Sequence, residues 1–169
     1  LRSEPPESVE NEAAWLREQV GEIVAPRLDF ITMTKLAVGS LWRKASKEQK
    51  RELVTQFREL LLRTYSQALT QYEGQQVEFL PLQEGDRKDR ARVRARVTHE
   101  EGPPLGADYR LRYHDGKWLV YDISVDGVSL VTNYRSTFTS LIREEGLEGL
   151  IQTLQQKNAQ NDVLRPDSS

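Results

Sequence analysis

The chain has 169 residues, 37% hydrophobic and 30% charged, with a formal net charge of -2, a pI near 5.8 and a mean hydropathy of -0.66. One domain of this size buries a substantial core, and the slight acidity excludes the dominant positive field that non-specific nucleic-acid binding needs. No run approaches the roughly 18 apolar residues that span a bilayer, and the absence of cysteine excludes disulfides and thiol chemistry.

Residues 1–11, LRSEPPESVEN, are rich in Pro, Glu and Ser and predict a loosely held tail. They lack the apolar core of a secretory leader, which leaves a cytosolic protein and the mature form of an exported one both open. From Glu12 to Val24 the pattern is helical, with Trp15, Leu16, Val20, Ile23 and Val24 as the apolar stripe, and Pro26 ends it. Asp29 is placed to N-cap a short second helix carrying Phe30, Met33, Leu36 and Ala37, with Gly39 as its stop.

The strongest helix signal runs from Ser46 to Tyr72. SKEQ is a capping box, in which the Ser46 hydroxyl takes one orphan amide and Gln49 reaches back to another. At about 100° per residue, Leu53, Val54, Phe57, Leu60, Leu61, Tyr65, Ala68, Leu69 and Tyr72 fall within about half the circumference. A surface helix needs a stripe only about 100° wide. This one has more apolar face than a single packing contact uses.

After Gly74 the period changes to two. Gln76 to Leu82 reads as a strand, and RARVRARV (Arg90 to Val97) alternates strictly, with Ala91, Val93, Ala95 and Val97 opposing Arg90, Arg92, Arg94 and Arg96. ADYRLRY places Tyr109, Leu111 and Tyr113 opposite Asp108, Arg110 and Arg112. His114-Asp115-Gly116 is a tight-hairpin signal. Beyond it, KWLVYDISV is expected to put Leu119, Tyr121, Ile123 and Val125 on one face. Asp126-Gly127 marks another turn, and VSLVTN is expected to continue as a strand. Two helices close the domain, from about Tyr134 to Glu145 and from Leu147 to Lys157, before a tail expected to fray over 159–169. Helices, then hairpin strands, then helices make an α+β domain over residues 12–158, a curved antiparallel sheet of four to five strands wrapped by N- and C-terminal helices.

Catalytic signals are sparse. His99 and His114 belong to no metal-ligand spacing, and no phosphate-binding loop or nucleophile elbow is present. Ser129 has no base close in sequence. Asp122 and Asp126 share one strand face and form the one carboxylate pair open to an acid/base reading, although Asp126 is equally a turn residue. Neither a catalytic residue nor a metal ligand is assigned. The arginines form a ladder on a face without interleaved aromatics, so base stacking is not expected there. That face reads as a solvated exterior covered by guanidinium stems, or as a docking surface for an acidic partner. What remains is apolar surface, which either seals into a core or walls a pocket for an apolar ligand; periodicity does not choose.

DFITMTKLAVGSLWRKASKEQKRELVTQFRELLLRTY (Asp29 to Tyr65), VEFLPL, ADYRLR and KWLVYDISVDGVSLVTNYRSTF (Lys117 to Phe138) together resemble the MlaC family, also called toluene-tolerance or Ttg2-type proteins. The resemblance spans about Trp15 to Asn158. It implies a periplasmic glycerophospholipid carrier with an NTF2-like or MlaC-like fold enclosing an apolar cavity, without stable membrane insertion. Its implied partners are an outer-membrane lipoprotein–porin complex and an inner-membrane MCE-domain protein with its ABC transporter. No cofactor is implied; phospholipid is cargo. Under that reading Phe57, Leu61 and Tyr65 on one side, and Tyr109, Leu111, Val125, Val128, Leu130, Val131 and Phe138 on the other, are expected to line the acyl site. Tyr134 and Arg135 are expected at its rim, near the head-group phosphate. The cavity is expected near the upper end of the usual range of about 300–1,000 Å3. The alternatives are an NTF2-like binding domain or enzyme working through Asp122, and an interaction module using the arginine face.

Overall fold

The computed structural model describes residues 15, 18, 21–70, 76–84, 87–98, 102–162 and 164. Three helices, α1 (Phe30–Val38), α2 (Lys47–Thr70) and α3 (Leu130–Ala159), pack on an antiparallel sheet of β1 (Gln76–Phe79), β2 (Gln83–Glu84), β3 (Arg90–Thr98), β4 (Leu105–His114), β5 (Lys117–Val125) and β6 (Val128–Ser129). The sheet order is β1-β3-β4-β5-β6, with β2 taking a second stretch of the same edge of β3. Residues 21–23 are also helical, and a 3-10 segment, Gly39–Lys44, joins α1 to α2. This is the α+β architecture expected.

Local chemistry sets the helix boundaries. Asp29 caps α1, accepting from the Thr32 amide at 2.9 Å, and Gly39 ends it with φ of 74°. The capping box holds at α2: the Gln49 amide donates to Ser46 Oγ at 3.1 Å, and the Ser46 amide donates to Gln49 Oε1 at 3.0 Å. The expected side chains of Ala68, Leu69 and Tyr72 lie outside the described residues, as do the stripe residues Leu16 and Val20 of the first helix.

Two expectations fail for one reason, the buried carboxylate of Asp122. The strand anticipated through Asn133 stops after Ser129, and α3 begins at Leu130 rather than near Tyr134. Ser129 Oγ accepts from the Thr132 amide at 3.1 Å while donating to Asp122 Oδ2 at 2.6 Å, and Asp122 Oδ1 accepts from the Val131 amide at 3.2 Å. Satisfied first-turn amides make the helix start there. The alternation of β5 also breaks. Arg110 pairs with Asp122 but Leu111 pairs with Val120, so Tyr121 is an extra, bulged residue. Leu119 therefore sits opposite Arg112, on the arginine side, and does not share a face with Ile123 and Val125.

The helical layer has its own core. Phe57 lies 5.1 Å, ring to ring, from both Tyr134 and Phe138, and these three are fully buried with Leu53, Leu60 and Leu154. The two C-terminal helical stretches expected on either side of residue 146 are present, divided by Gly146 at φ 75° and ψ -179°. That conformation is essentially restricted to glycine. Beyond the break Leu150, Ile151 and Leu154 are buried, and a Cβ at Gly149 would lie 2.2 Å from that of Glu145, so glycine is required at both positions of the corner. Of the expected tail, Ala159 to Asp162 continues the ordered chain, with Lys157 Nζ 2.6 Å from Asp162 Oδ2, and Leu164 packs on the core. Gly146→Ala is expected to lower the unfolding free energy by about 1–3 kcal/mol, read as a fall in urea midpoint at constant m-value.

A candidate apolar binding cleft

Two tethers hold the helices to one edge of the sheet. Asp122 anchors the start of α3 from β5. The segment entering α1 forms a bridge from Leu28 to Val120, with the Asp29 amide donating to the Val120 carbonyl at 2.8 Å. Asp29 is itself buried, and Arg112 reaches it from β4 at 3.5 Å while donating to Thr32 Oγ1 at 2.8 Å. The long helix α2 is attached differently: it packs chiefly on α1 and α3.

Between α2 and the sheet lies a cleft of about 390 Å3. Its helical wall is Leu61, Leu62 and Tyr65 of α2 with Met33 of α1. Its sheet wall is two cross-strand pairs, Ala107 with Val125 and Tyr109 with Ile123, which share a face because paired residues do. Val24, Leu28, Val128, Leu130 and Asn133 complete the lining. The lining is overwhelmingly hydrocarbon. Val125 and Val128 are 47% and 55% exposed, so the opening lies at the β5–β6 turn. That turn is held to β4 by Asp126, whose amide donates to the Gly106 carbonyl at 2.8 Å and whose carboxylate accepts from the Gly106 amide at 2.9 Å.

The wide stripe of α2 is thus divided. Leu53, Phe57 and Leu60 are fully buried in the helical core, while Leu61 and Tyr65, a little further round, face the cleft. Of the side chains expected at an acyl site, six line the cleft: Leu61, Tyr65, Tyr109, Val125, Val128 and Leu130. Four do not. Phe57, Val131 and Phe138 belong to the closed helical core, and Leu111 lies outside the lining, beside Val120 and next to the bulge. Val131, in the first turn of α3 rather than in a strand, is buried, and Phe138 packs on Phe57 and Tyr134. The cleft is accordingly smaller than the upper-range cavity expected, since much of the anticipated lining is filled core.

The expected rim is also displaced. Tyr134 is fully buried against Phe57 and Phe138. Burial, with Tyr65 acting in the same direction, pushes its ionisation well above the ordinary tyrosine range. Its hydroxyl is buried beside Tyr65 and Thr64. Arg135 is exposed and borders a different depression, formed with Gly39 and Arg143. Val24, Leu28, Met33, Leu62, Ala107, Ile123 and Asn133 line the cleft without having been singled out as site residues. Ile123 and Met33 were visible as apolar periodic positions; nothing in the sequence marks Asn133 or Ala107.

Asp122, the one candidate for acid/base chemistry, lies outside the cleft lining and its oxygens are engaged by Ser129 and the Val131 amide. The arginine ladder is largely neutralised where it stands. Arg92 pairs with Asp108, Arg90 with Asp89 at 2.9 Å, Arg96 with Glu78 at 3.7 Å and Arg112 with Asp29. Arg110 stands opposite Asp122 in register. These pairs relieve the repulsion of Arg92 against Arg110 and Arg90 against Arg112. Among the described residues no cluster of His, Asp or Glu has metal-binding geometry.

The sequence matches the MlaC protein family over residues 3–156. The chain belongs to that family. A solved structure of a phospholipid-binding protein from Ralstonia solanacearum, in complex with a phospholipid, is 33% identical and superposes with a TM-score of 0.79, covering 88% of this chain and 83% of that one. The intermembrane phospholipid transport system binding protein MlaC of Haemophilus influenzae is 24% identical over 155 residues, 90% of this chain and 72% of its own length. The toluene tolerance protein ttg2D of Pseudomonas putida is 30% identical over 130 residues, 76% of this chain and 60% of its length. In this MlaC-family chain the ring of Tyr134 fills the core, and its hydroxyl contributes at most a weak contact with Tyr65 or Thr64. Tyr134→Phe is expected to leave stability within about 1 kcal/mol, whereas Tyr134→Ala is expected to cost about 3–5 kcal/mol, both measured by chemical denaturation.

Proposed function

We propose that the chain is a periplasmic phospholipid carrier that shelters acyl chains in the cleft between α2 and the sheet. The observation that carries this reading is the cleft itself, hydrocarbon on both walls and open at Val125 and Val128. Its family membership and the phospholipid-bound structural relative support the choice of ligand. Leu61, Tyr65, Tyr109, Val125, Val128 and Leu130 touch the chains, joined by Met33, Leu62 and Ile123; the head group stays outside, beyond the exposed valines.

The energetics suit a carrier. Each methylene moved from water is worth about 0.8 kcal/mol, so a lipid is never released into water at a useful rate. In a bilayer the same chains are already dry. The protein has only to match the membrane, and complexes at the two membranes perform extraction and delivery. The outer-membrane lipoprotein–porin complex and the inner-membrane MCE-domain protein with its ABC transporter are the partners we assign to those steps. No described helix is long and apolar enough to cross a membrane, which fits a carrier that stays in the aqueous space.

Protein purified without delipidation is expected to release phospholipid into an organic extract, seen by mass spectrometry at near-stoichiometric yield. Ala107→Trp, which fills the sheet wall, and Val128→Asp, which puts a charge at the opening, are each expected to lower that yield about tenfold or more with the fold retained. A well-folded wild-type sample carrying no lipid overturns the proposal.

A further inference from the structure

The lipid reading leaves one part of the family-like sequence unused, the pairing of LAVGSLWR with NYRSTF. These segments meet on the helical layer at a groove of about 340 Å3, separate from the apolar cleft and sharing no lining residue with it. Its floor is hydrocarbon, from Val38, Leu41 and Ile142. Its two cations are Arg135 and Arg143, with the Thr139 hydroxyl between them on the same stripe of α3 and Ser40 facing from the other wall.

Arg135 is seated closely. A Cβ at Gly39 would meet its Nε at 3.4 Å and one terminal nitrogen at 3.5 Å, so the guanidinium lies directly on glycine backbone. Glycine is favoured at 39 by its φ of 74°, and a Cβ there would make only ordinary contact with the guanidinium. The carbonyl end of α1 is a favourable neighbour for a cation. Arg143, two turns further along α3, has no such support. Among the described residues neither guanidinium has an ion-pair partner, although Glu144 and Glu145 follow Arg143 directly. This contrasts with the sheet, where the arginine ladder is mostly paired. The segment that carries one wall of the groove is basic in a net-acidic chain: from Lys35 to Arg51, Lys35, Arg43, Lys44, Lys47, Lys50 and Arg51 are offset only by Glu48.

We infer that this groove docks an acidic, partly apolar segment of a partner protein, with two carboxylates seated on Arg135 and Arg143. Eight residues of helix separate the two arginine Cα atoms by about 12 Å. In an extended segment, acidic residues four apart are spaced by about 13 Å. A bare phosphate leaves the hydrocarbon floor wet and one cation unmatched. A phospholipid offers an apolar body but a single anionic end. The two-ended charge with an apolar centre selects a peptide of acid–apolar–acid pattern. The inference is independent of whether the cleft holds lipid.

The test uses the full chain, isotope-labelled, with a capped Asp-Leu-Gly-Leu-Asp peptide titrated against its amide NMR spectrum. The peptide is expected to move the amides of Gly39, Ser40, Thr139 and Arg143, and to leave those of Tyr109 and Ile123 in the cleft unmoved. Replacing both aspartates by asparagine, or the exposed arginine by Arg143→Glu, is expected to weaken binding about tenfold or more. Raising ionic strength, which shortens the Debye length from about 30 Å at 0.01 M to about 8 Å at 0.15 M, is expected to weaken it further. Groove amides that stay still with the diacidic peptide overturn the inference, as does binding unchanged by Arg143→Glu. Equal shifts from inorganic phosphate reassign the groove to a simple anion, and equal shifts from a short-chain phosphatidylglycerol reassign it to lipid; either result also overturns it. Lipid content in the extract is untouched by these outcomes and is measured on the same samples.

Discussion

The arrangement depends on two buried carboxylates at one sheet edge, each holding the first turn of a helix. Asp122 takes the Val131 amide and the Ser129 hydroxyl; Asp29 takes the Thr32 amide and hydroxyl while its own amide donates into β5. A carboxylate removed from water is costly unless its oxygens are bonded, and helix N-termini supply unpaired amides and a favourable dipole. Each need answers the other. The outcome is that α1 and α3 are fixed to the sheet along β5, and α2, carried by them, stands off from β4 and β5.

That stand-off separates core from cleft. Side chains of α2 that turn toward α1 and α3 meet Tyr134, Phe138 and Leu154 and are sealed. Those that turn toward the sheet find Tyr109 and Ile123 across a gap. In the aromatic trio, Phe57 packs edge to face on both Tyr134 and Phe138, which are tilted against each other, and this cluster lies within the helical layer. A cleft can remain open beside such a layer because the stability does not depend on closing it. The arginine side of the sheet, with its acidic partners, keeps the opposite surface hydrated.

The cleft and the groove differ in chemistry. The cleft is hydrocarbon on both walls and suits a ligand whose gain is the exclusion of water. The groove by Gly39 is flanked by two arginines without an ion-pair partner among the described residues, over a small apolar floor, which suits recognition by charge with register fixed by spacing. The two share no lining residue.

Much of this was visible in the sequence alone. The α+β order, the capped long helix with its overwide apolar face, the break near residue 146 and the alternation of β3 and β4 follow from local rules of capping and periodicity, which need no knowledge of what lies across the fold. The division of the apolar residues did not follow. Phe57 and Leu61 are alike in composition and stripe and both are buried, yet only Leu61 also lines the cleft, because that depends on which element stands opposite and how far away. Tyr134 and Arg135 are adjacent, and their opposite fates were set by where α3 begins, which Asp122 decides from another strand. Local chemistry determined the elements; the distance between α2 and the sheet, a property of the whole packing, decided which apolar surface was left for a ligand.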